Sequence, residues 1–352
     1  MEDRKKAILE EAVRRYIDTA EPVGSKLLAE HSSLNVSSAT IRNELNELER
    51  DGYLVQPHTS SGRVPTDQGY RFYVDQLPVT DRRTSGLTTA QQQLVLARLQ
   101  SVGGHIQDVL FQVTEILNSL IDYTTIVLTP DIYQETLKFA QLILVDMDRI
   151  LVVLLNSAGV NSEFLVHFEG KIDQEDLNKI SRLISEKLEG KPVTSITEAT
   201  LEELARDLPR LTELLSALAK GIRALREQHA QSSRLVTKGM GKLLKLPEFR
   251  NIELTQRVVA TLEENKVLAE LLAQHLNTHS CQVMIGHETQ MDALQDCSLV
   301  VASVSTDESQ GVIGVLGPRR MAYSQIVPMV EQISAMVGDY LSKNTFQKEG
   351  LL

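Results

Sequence analysis

Three short runs with helical spacing, separated by turn residues, occupy the first 52 residues and constrain the fold more than any other feature of this chain. The segment Glu21 to Gly24 breaks the first run, Ser25 caps the second, and Ser37 or Ser38 caps the third, which extends from Ala39 to Arg50. Helix, short helix, turn and helix within this length is the helix-turn-helix layout. The apolar residues predicted to face inward are Ile8, Leu9, Ala12, Val13, Tyr16, Ile17, Leu27, Leu28, Ile41, Leu45 and Leu48.

The third run begins with small polar side chains, and in a helix-turn-helix this end of the helix enters the major groove of DNA. Short hydroxyls permit close approach to phosphates, and the amides of the helix N-terminus favour an anion there. Arg42 and Asn43 address base edges, whereas the acids Glu44, Glu47 and Glu49 are expected to face away from DNA. The DNA contacts predicted in this segment are Ser25, Ser37, Ser38, Thr40, Arg42 and Asn43.

A small hairpin follows the third helix. Residues 53–56 and 63–65 have the pattern of short strands around a turn, and a hairpin directly after a recognition helix is a wing. We expect its tip to bring backbone close to phosphate, and Arg63 to pair with phosphate or reach into the minor groove. Thr66 then caps a fourth helix, and Pro78 ends the unit. The predicted wing contacts are Ser60, Ser61, Gly62 and Arg63.

The charge of the chain excludes a protein that coats nucleic acid or anionic membrane through bulk charge, because its formal net charge is −11. Residues 1–77 hold ten Lys and Arg against thirteen Asp and Glu, a net of −3. DNA affinity is therefore expected to rest on a few placed contacts and on dimerisation. The alternative for this segment is a winged helix that serves as a structural or protein-binding module.

Several longer strings, in the same order along nearly the whole chain, resemble the family of heat-inducible transcription repressors named HrcA. Where the family often has Glu-Asn after Ile-Gly, this chain has His287 and Glu288. The matching strings are Glu21 to Ser25, Ser37 to Asn43, Leu48 to Leu54, His58 to Thr66, Gly69 to Arg71, Pro247 to Phe249, Ile285 to Gly286, and Gly311 to Met321.

The resemblance implies an α+β chain in which an N-terminal winged helix-turn-helix precedes a GAF-like antiparallel α+β domain with a helical dimerising insert. It implies a homodimer that binds an inverted-repeat operator called CIRCE upstream of chaperonin and other heat-shock genes. It also implies a GroEL-type chaperonin as a partner that helps the repressor reach its active form, so that heat stress releases the genes by loss of the active fold and by chaperonin titration.

The remaining chain changes from helical to strand spacing and back. Strands are predicted at 125–128, 137–145, 150–155 and 163–168, a long helical stretch at 200–276, and further strands at 282–285, 298–305 and 311–316 before a closing helix at 324–341. We therefore divide the chain into a winged helix at 1–78, a helical connector at 79–122, a GAF-like domain at 123–195 and 277–345, and an inserted dimerisation domain at 196–276.

A basic cluster lies between residues 220 and 250, with eight basic residues against two acidic ones. It suits an auxiliary contact with DNA or an acidic partner, but a solvated helix face, or pairing with the acidic stretch Glu198, Glu202, Glu203 and Asp207, is favoured. His275, His279 and Cys281 are weak candidates for metal ligands at a helix-to-strand junction. Gly311, Gly314 and Gly317 are not the dinucleotide fingerprint, because no helix N-terminus follows them, and close backbone approach in a sheet is favoured.

No catalytic constellation and no cofactor motif is recognised, so the chain is predicted not to be an enzyme and to use no cofactor. Two cysteines without a CxxC spacing, no apolar leader and no window of about 20 apolar residues predict a cytoplasmic protein with no membrane contact. The leading hypothesis is the homodimeric repressor, and the alternative is a winged-helix regulator gated by a small molecule in its GAF-like domain.

Overall fold

The computed structural model describes most of the chain, and Ser60, Pro78, Arg234 and His279 lie outside its described residues. The described residues are 2–31, 36–58, 61–77, 86–102, 106–129, 136–156, 161–168, 170, 172–192, 195–197, 199–201, 203, 212–230, 235–264, 266–276, 278, 280–305 and 310–349.

The N-terminal unit has the predicted helix-turn-helix and wing. Its elements are α1 (Asp3–Thr19), α2 (Ser25–His31), α3 (Ser38–Arg50), β1 (Leu54–Val55), β2 (Val64–Pro65) and α4 (Asp67–Asp75). The inward faces predicted from the helical spacing are confirmed, since Ile8, Leu9, Ile41 and Leu48 are fully buried. The predicted cap of α4 is also present, because the Gly69 amide donates to the Thr66 hydroxyl at 3.2 Å.

The rest of the chain forms two antiparallel sheets with helices on them, which confirms the mixed α+β class. Its helices and strands are α5 (Thr89–Gln100), α6 (Ile106–Leu120), β3 (Thr124–Leu128), β4 (Leu137–Leu144), β5 (Arg149–Asn156), β6 (Asn161–His167), α7 (Gln174–Leu188), α8 (Thr212–Ala230), β7 (Leu235–Lys238), α9 (Met240–Leu243), α10 (Ile252–Glu263), α11 (Lys266–Ala273), β8 (Gln282–Ile285), β9 (Cys297–Ser305), β10 (Gln310–Pro318) and α12 (Tyr323–Glu349).

The larger sheet has five strands in the order β7-β3-β10-β9-β8. The strand β7 lies beside β3, with Leu235 opposite Leu128, so the chain leaves this sheet after β3 and returns to the same edge more than 100 residues later. The smaller sheet, β4-β5-β6, is formed entirely within that excursion. The structure therefore contains an insertion between β3 and β7.

The position of this insertion differs from the predicted one at 196–276. Strands β4 to β6 share a hydrophobic core with α7 and α8, whereas α10 and α11 pack on the five-stranded sheet. The predicted helical stretch at 200–276 is also wrong in one place, because the four residues of β7 pair with β3. Helical spacing identifies an amphipathic helix but does not say which sheet its apolar face covers.

The glycine string is part of β10, the central strand of the larger sheet, which confirms the prediction of close approach. A Cβ atom on Gly311 would lie 2.5 Å from Leu110 of α6, and one on Gly317 would lie 2.8 Å from the Tyr123 ring. Glycine at these positions therefore lets α6 and the Tyr123 segment pack directly on the sheet.

Among the described residues, no helix combines the length and the apolar character that crossing a membrane requires.

Candidate nucleic-acid interface

The N-terminus of α3 is built from the predicted hydroxyl residues. The Ser37 hydroxyl accepts a hydrogen bond from the Thr40 amide at 3.2 Å and lies 2.9 Å from the Thr40 hydroxyl. Ser38 donates to the Ser25 hydroxyl at 3.2 Å, which joins the first turns of α2 and α3. The structure therefore brings Ser25, Ser37, Ser38 and Thr40 together at one end of the helix.

Arg42 and Asn43 follow this cap and are both exposed, as a base-reading role requires. Ile41, Leu45 and Leu48 are buried and fix the rotation of α3 about its axis. The residues left on the outer side form one ridge at helical spacing, which we call the α3 ridge. It consists of Ala39, Arg42, Asn43, Asn46 and Arg50.

The α3 ridge carries two arginines and no acid, although α3 itself contains three glutamates. Glu44 is buried and accepts from Arg4 of α1 at 2.6 Å, and Glu47 accepts from Lys5 at 2.6 Å. The hydrogen bond from Lys5 lowers the pKa of Glu47, which keeps this carboxylate ionised and paired. Glu44 and Glu47 are thus turned towards α1 and paired there, and Glu49 pairs with Arg63 of the wing, so the slightly acidic N-terminal unit still presents a basic ridge.

The wing residue Arg63 is held by α3 rather than directed outwards. Its side chain is only 14% exposed, its Nη2 donates to the Asn46 Oδ1 at 2.9 Å, and its Nε lies 2.8 Å from Glu49 as an ion pair without hydrogen-bond geometry. Its backbone exchanges two hydrogen bonds, of 2.8 and 2.9 Å, with Val23. The phosphate or minor-groove contact of Arg63 stays a prediction, and the partners of its side chain in the structure are Asn46 and Glu49.

Gly62 and Ser61 also serve the wing itself. A Cβ atom on Gly62 would lie 2.6 Å from the Pro22 carbonyl group, so this glycine permits close approach to the turn between α1 and α2. The Ser61 hydroxyl donates to the His58 carbonyl at 2.7 Å and closes the turn at the tip. The sequence predicts that the wing tip brings its backbone close to phosphate. In the structure, the close approach of Gly62 is to the turn between α1 and α2.

A set of charged residues that the sequence analysis did not single out docks the N-terminal unit on the five-stranded sheet. Arg71 of α4 donates to Glu288 at 2.8 Å and to the Val283 carbonyl at 2.5 Å. Arg319 bridges Asp67 of α4 and Asp296, each at 3.1 Å. Arg71 and Glu288 are 217 residues apart in the chain, and Asp67 and Arg319 are 252 residues apart. No local sequence pattern could therefore reveal these contacts.

Beside this docking contact lies a cavity of about 340 Å³ between the N-terminal unit and the larger sheet. Arg319 and Arg320 line it, but both are engaged, since Arg320 pairs with Glu248 and donates to the Ile17 carbonyl at 3.3 Å. The cavity is large enough for a small ligand. Arg319 and Arg320 are nevertheless already paired with carboxylates of the protein.

Two members of the predicted basic cluster, Lys238 and Lys242, are engaged by other parts of the chain, and Arg234 lies outside the described residues. Lys238 pairs with Glu115 and lies 5.7 Å above the Phe111 ring, while Lys242 donates to the carbonyls of Asn118 and Ile121. Lys242 thus neutralises the negative C-terminal end of α6. These two members are therefore paired within the chain, but with Glu115 and two backbone carbonyls rather than with the predicted acidic stretch.

The weak metal candidates are only partly covered by the structure, because His279 lies outside the described residues. His275 is at the end of a helical turn, where its carbonyl accepts from the Thr278 hydroxyl at 2.7 Å, and burial lowers its pKa. In the described part of the chain, no three His, Cys, Asp or Glu side chains are arranged to hold a metal ion.

Three comparisons relate the chain to known proteins. A family model for the HrcA protein C-terminal domain matches residues 107–327. The chain is 36% identical over 349 residues to the heat-inducible transcription repressor HrcA of Natranaerobius thermophilus, with 98% of each chain covered. It is 33% identical over 347 residues to HrcA of Carboxydothermus hydrogenoformans, covering 98% of this chain and 100% of that relative.

A crystal structure of a hypothetical protein at 2.2 Å resolution has a similar fold, with a TM-score of 0.65 and 23% identity, covering 98% of this chain and 99% of that one. The helix-turn-helix, its wing and the basic ridge define a DNA-binding transcription regulator. Within that class, the chain belongs to the HrcA family of heat-inducible transcription repressors. The family consists of repressors rather than enzymes, in agreement with the sequence analysis.

Proposed function

We propose that the protein represses heat-shock genes by binding the CIRCE inverted repeat as a homodimer. The α3 ridge carries this proposal, because it presents Arg42, Asn43, Asn46 and Arg50 beside a serine-capped helix N-terminus. A single helix-turn-helix reads one half-site, so a two-fold dimer matches an inverted repeat. The neutralised glutamates of α3 support the same reading, since they leave the ridge without a repelling charge.

The direct test compares binding to a CIRCE duplex with binding to a scrambled duplex of the same composition, each over a range of salt concentrations. We expect tight binding to CIRCE, and binding to the scrambled duplex that is weaker by a factor of a thousand or more. Equal affinity for the two duplexes would overturn the proposal.

For dimerisation we propose the outer face of the small sheet β4-β5-β6. One face of this sheet packs on α7 and α8, whereas the other presents Phe139, Ile143 and Leu165, which are 45%, 40% and 51% exposed. Ile143 and Leu165 flank Leu151 on either side in the strand register, so the apolar side chains form a continuous row. Apolar patches of this kind mark protein–protein contacts.

The dimer surface is tested with Leu165→Asp, which places a charge on strand β6 within the apolar row of this face. We expect sedimentation to show a dimer for the parent protein and a monomer for the variant, with operator affinity reduced accordingly. Val267→Asp is the matched control, because Val267 is 50% exposed on α11, away from the small sheet. A Leu165→Asp variant that stays dimeric would exclude this face.

Release on heating follows, in this proposal, from a fall in the folded dimeric fraction, since operator occupancy depends on that fraction by mass action. A GroEL-type chaperonin would raise the fraction by returning the repressor to its active form. The test is operator footprinting at rising temperature with and without chaperonin, and we expect chaperonin to move the loss of protection to higher temperature. No effect of chaperonin would remove this partner from the proposal.

The competing hypothesis is a regulator gated by a small molecule, and the 340 Å³ cavity beside Arg319 is the feature that favours it. A thermal-shift screen without chaperonin separates the two hypotheses. A ligand that raises the melting temperature and changes operator affinity would support the small-molecule hypothesis.

A further inference from the structure

Asn46 is an exposed polar residue of α3 to which the sequence analysis assigned no role. It lies one helical turn after Arg42, on the same α3 ridge and opposite the buried residues Ile41, Leu45 and Leu48. A side chain at this position faces the same groove as Arg42, about one turn of helix further along. Asn46 is therefore placed to meet a base edge.

The amide of Asn46 is oriented by the wing. Arg63 Nη2 donates to Asn46 Oδ1 at 2.9 Å, and only the oxygen of an amide can accept such a bond. Arg63 is itself fixed, because its backbone is bonded to Val23 in both directions and its Nε lies beside Glu49. The orientation of the Asn46 amide thus follows from contacts with two other segments of the N-terminal unit.

This orientation leaves the Nδ2 group of Asn46, with two N–H donors, directed away from Arg63. Among the described residues, no acceptor for Nδ2 is found. An asparagine that reads adenine uses its oxygen and its nitrogen together, whereas the Asn46 oxygen already accepts from Arg63 and has one lone pair left. Guanine instead presents two neighbouring acceptors, O6 and N7, in the major groove.

We infer that Asn46 is a specificity-determining residue that donates from Nδ2 to a guanine edge in each half-site, and that Arg63 is the residue that positions it. The inference rests on the proposed operator binding and assigns one base of that operator to one side chain. Cytosine presents a donor in the major groove, whereas adenine and thymine each present a single acceptor, N7 and O4. Guanine alone presents two acceptors, which match the two N–H donors of Nδ2.

The test measures the affinity of the full-length dimer for CIRCE duplexes in which each base pair is changed in turn, in both half-sites together. We expect the parent protein to discriminate roughly fivefold to a hundredfold at one guanine-containing pair, and to lose affinity when that guanine is replaced by 7-deazaguanine. Asn46→Ala should remove the discrimination at this pair alone and become indifferent to 7-deazaguanine there.

Two further variants separate reading from positioning. Asn46→Asp keeps an acceptor for Arg63 but has no N–H donor, so it should lose discrimination at the same pair although the contact with the wing remains. Arg63→Ala should weaken discrimination at that pair, whereas Arg42→Ala should act on a different pair. Thermal melting of each variant confirms that the fold is intact.

The inference is overturned if Asn46→Ala leaves the whole substitution profile unchanged, or lowers affinity equally on every duplex. The latter result would mean that Asn46 only fastens the wing. A parent protein that binds CIRCE and scrambled DNA equally would instead overturn the proposed function, so the two failures are distinguishable.

Discussion

Ser37 sets where the recognition helix begins, and this determines which side chains reach its exposed end. Its hydroxyl accepts the Thr40 amide hydrogen bond, which satisfies one of the free donors of the first turn. Arg42 and Asn43 then follow within the next turn, on the outer side. The cap and the two base-reading candidates are local features, so the sequence was sufficient to identify them.

For Arg42→Ala we expect specific operator binding to fall by about 1–3 kcal/mol and base preference to relax at one pair of each half-site. The physical reason is that Arg42 is exposed on the α3 ridge, where it is available to base edges. Titration against the operator and its single-pair variants measures both effects. Unchanged discrimination would show that Arg42 does not read bases.

At the scale of elements, the wing depends on its fit against the turn between α1 and α2. In Gly62→Ala the new methyl group would meet the Pro22 carbonyl at 2.6 Å, and the backbone would have to move. We expect a loss of about 1–3 kcal/mol in the free energy of unfolding, together with weaker operator binding. Chemical denaturation measures the first effect.

Gly24→Ala is the control for Gly62→Ala, because it lies in the adjoining turn and its added methyl group has no atom within 4 Å. We expect its stability to stay close to that of the parent protein. Equal losses in the two variants would show that the close packing of the wing is not the cause.

The elements themselves were largely predictable, and their pairing was not. Helix α6, strand β8 and the closing helix α12 follow from spacing and caps, since these patterns repeat within a few residues. Strand β7 was missed because four residues between helices carry no period of their own, and its strand character comes from pairing with β3. Partner choice across more than 100 residues depends on packing, which local spacing does not encode.

At the scale of the whole molecule, the N-terminal unit is docked on the larger sheet by charged contacts. Arg71→Ala removes the contacts with Glu288 and the Val283 carbonyl, so we expect faster hydrogen exchange in α4 and β8 and a loss of about 1–3 kcal/mol in stability. Hydrogen exchange followed by mass spectrometry resolves these segments.

Arg149→Ala serves as the control for this docking contact, because Arg149 pairs with Asp146 within a single hairpin of the small sheet. Exchange in α4 and β8 should then match the parent protein. If Arg71→Ala also leaves α4 unchanged, the ion pairs do not hold the two units together, and the shared apolar core would have to do so.

The buried thiol of Cys297 reports on opening of the larger sheet. Burial raises the pKa of Cys297 to about 12, so at pH 8 the thiol is neutral and shielded from reagents. In a Cys281→Ser background, we expect thiol labelling to be slow at low temperature and to accelerate in parallel with loss of operator binding on heating. Labelling that is rapid at every temperature would contradict the buried position of Cys297. Labelling that lags behind DNA release would show that the operator is released before this sheet unfolds.

The sequence by itself determined the types of most elements, the helix-turn-helix with its wing, and the family, because caps, helical spacing and specific strings are all local along the chain. Only the tertiary structure decided that Glu44 and Glu47 of α3 face α1, that Arg63 holds Asn46, and that the insertion lies between β3 and β7. The physical reason is that these features are contacts between segments distant in the chain, and such contacts are selected by how the apolar faces pack together.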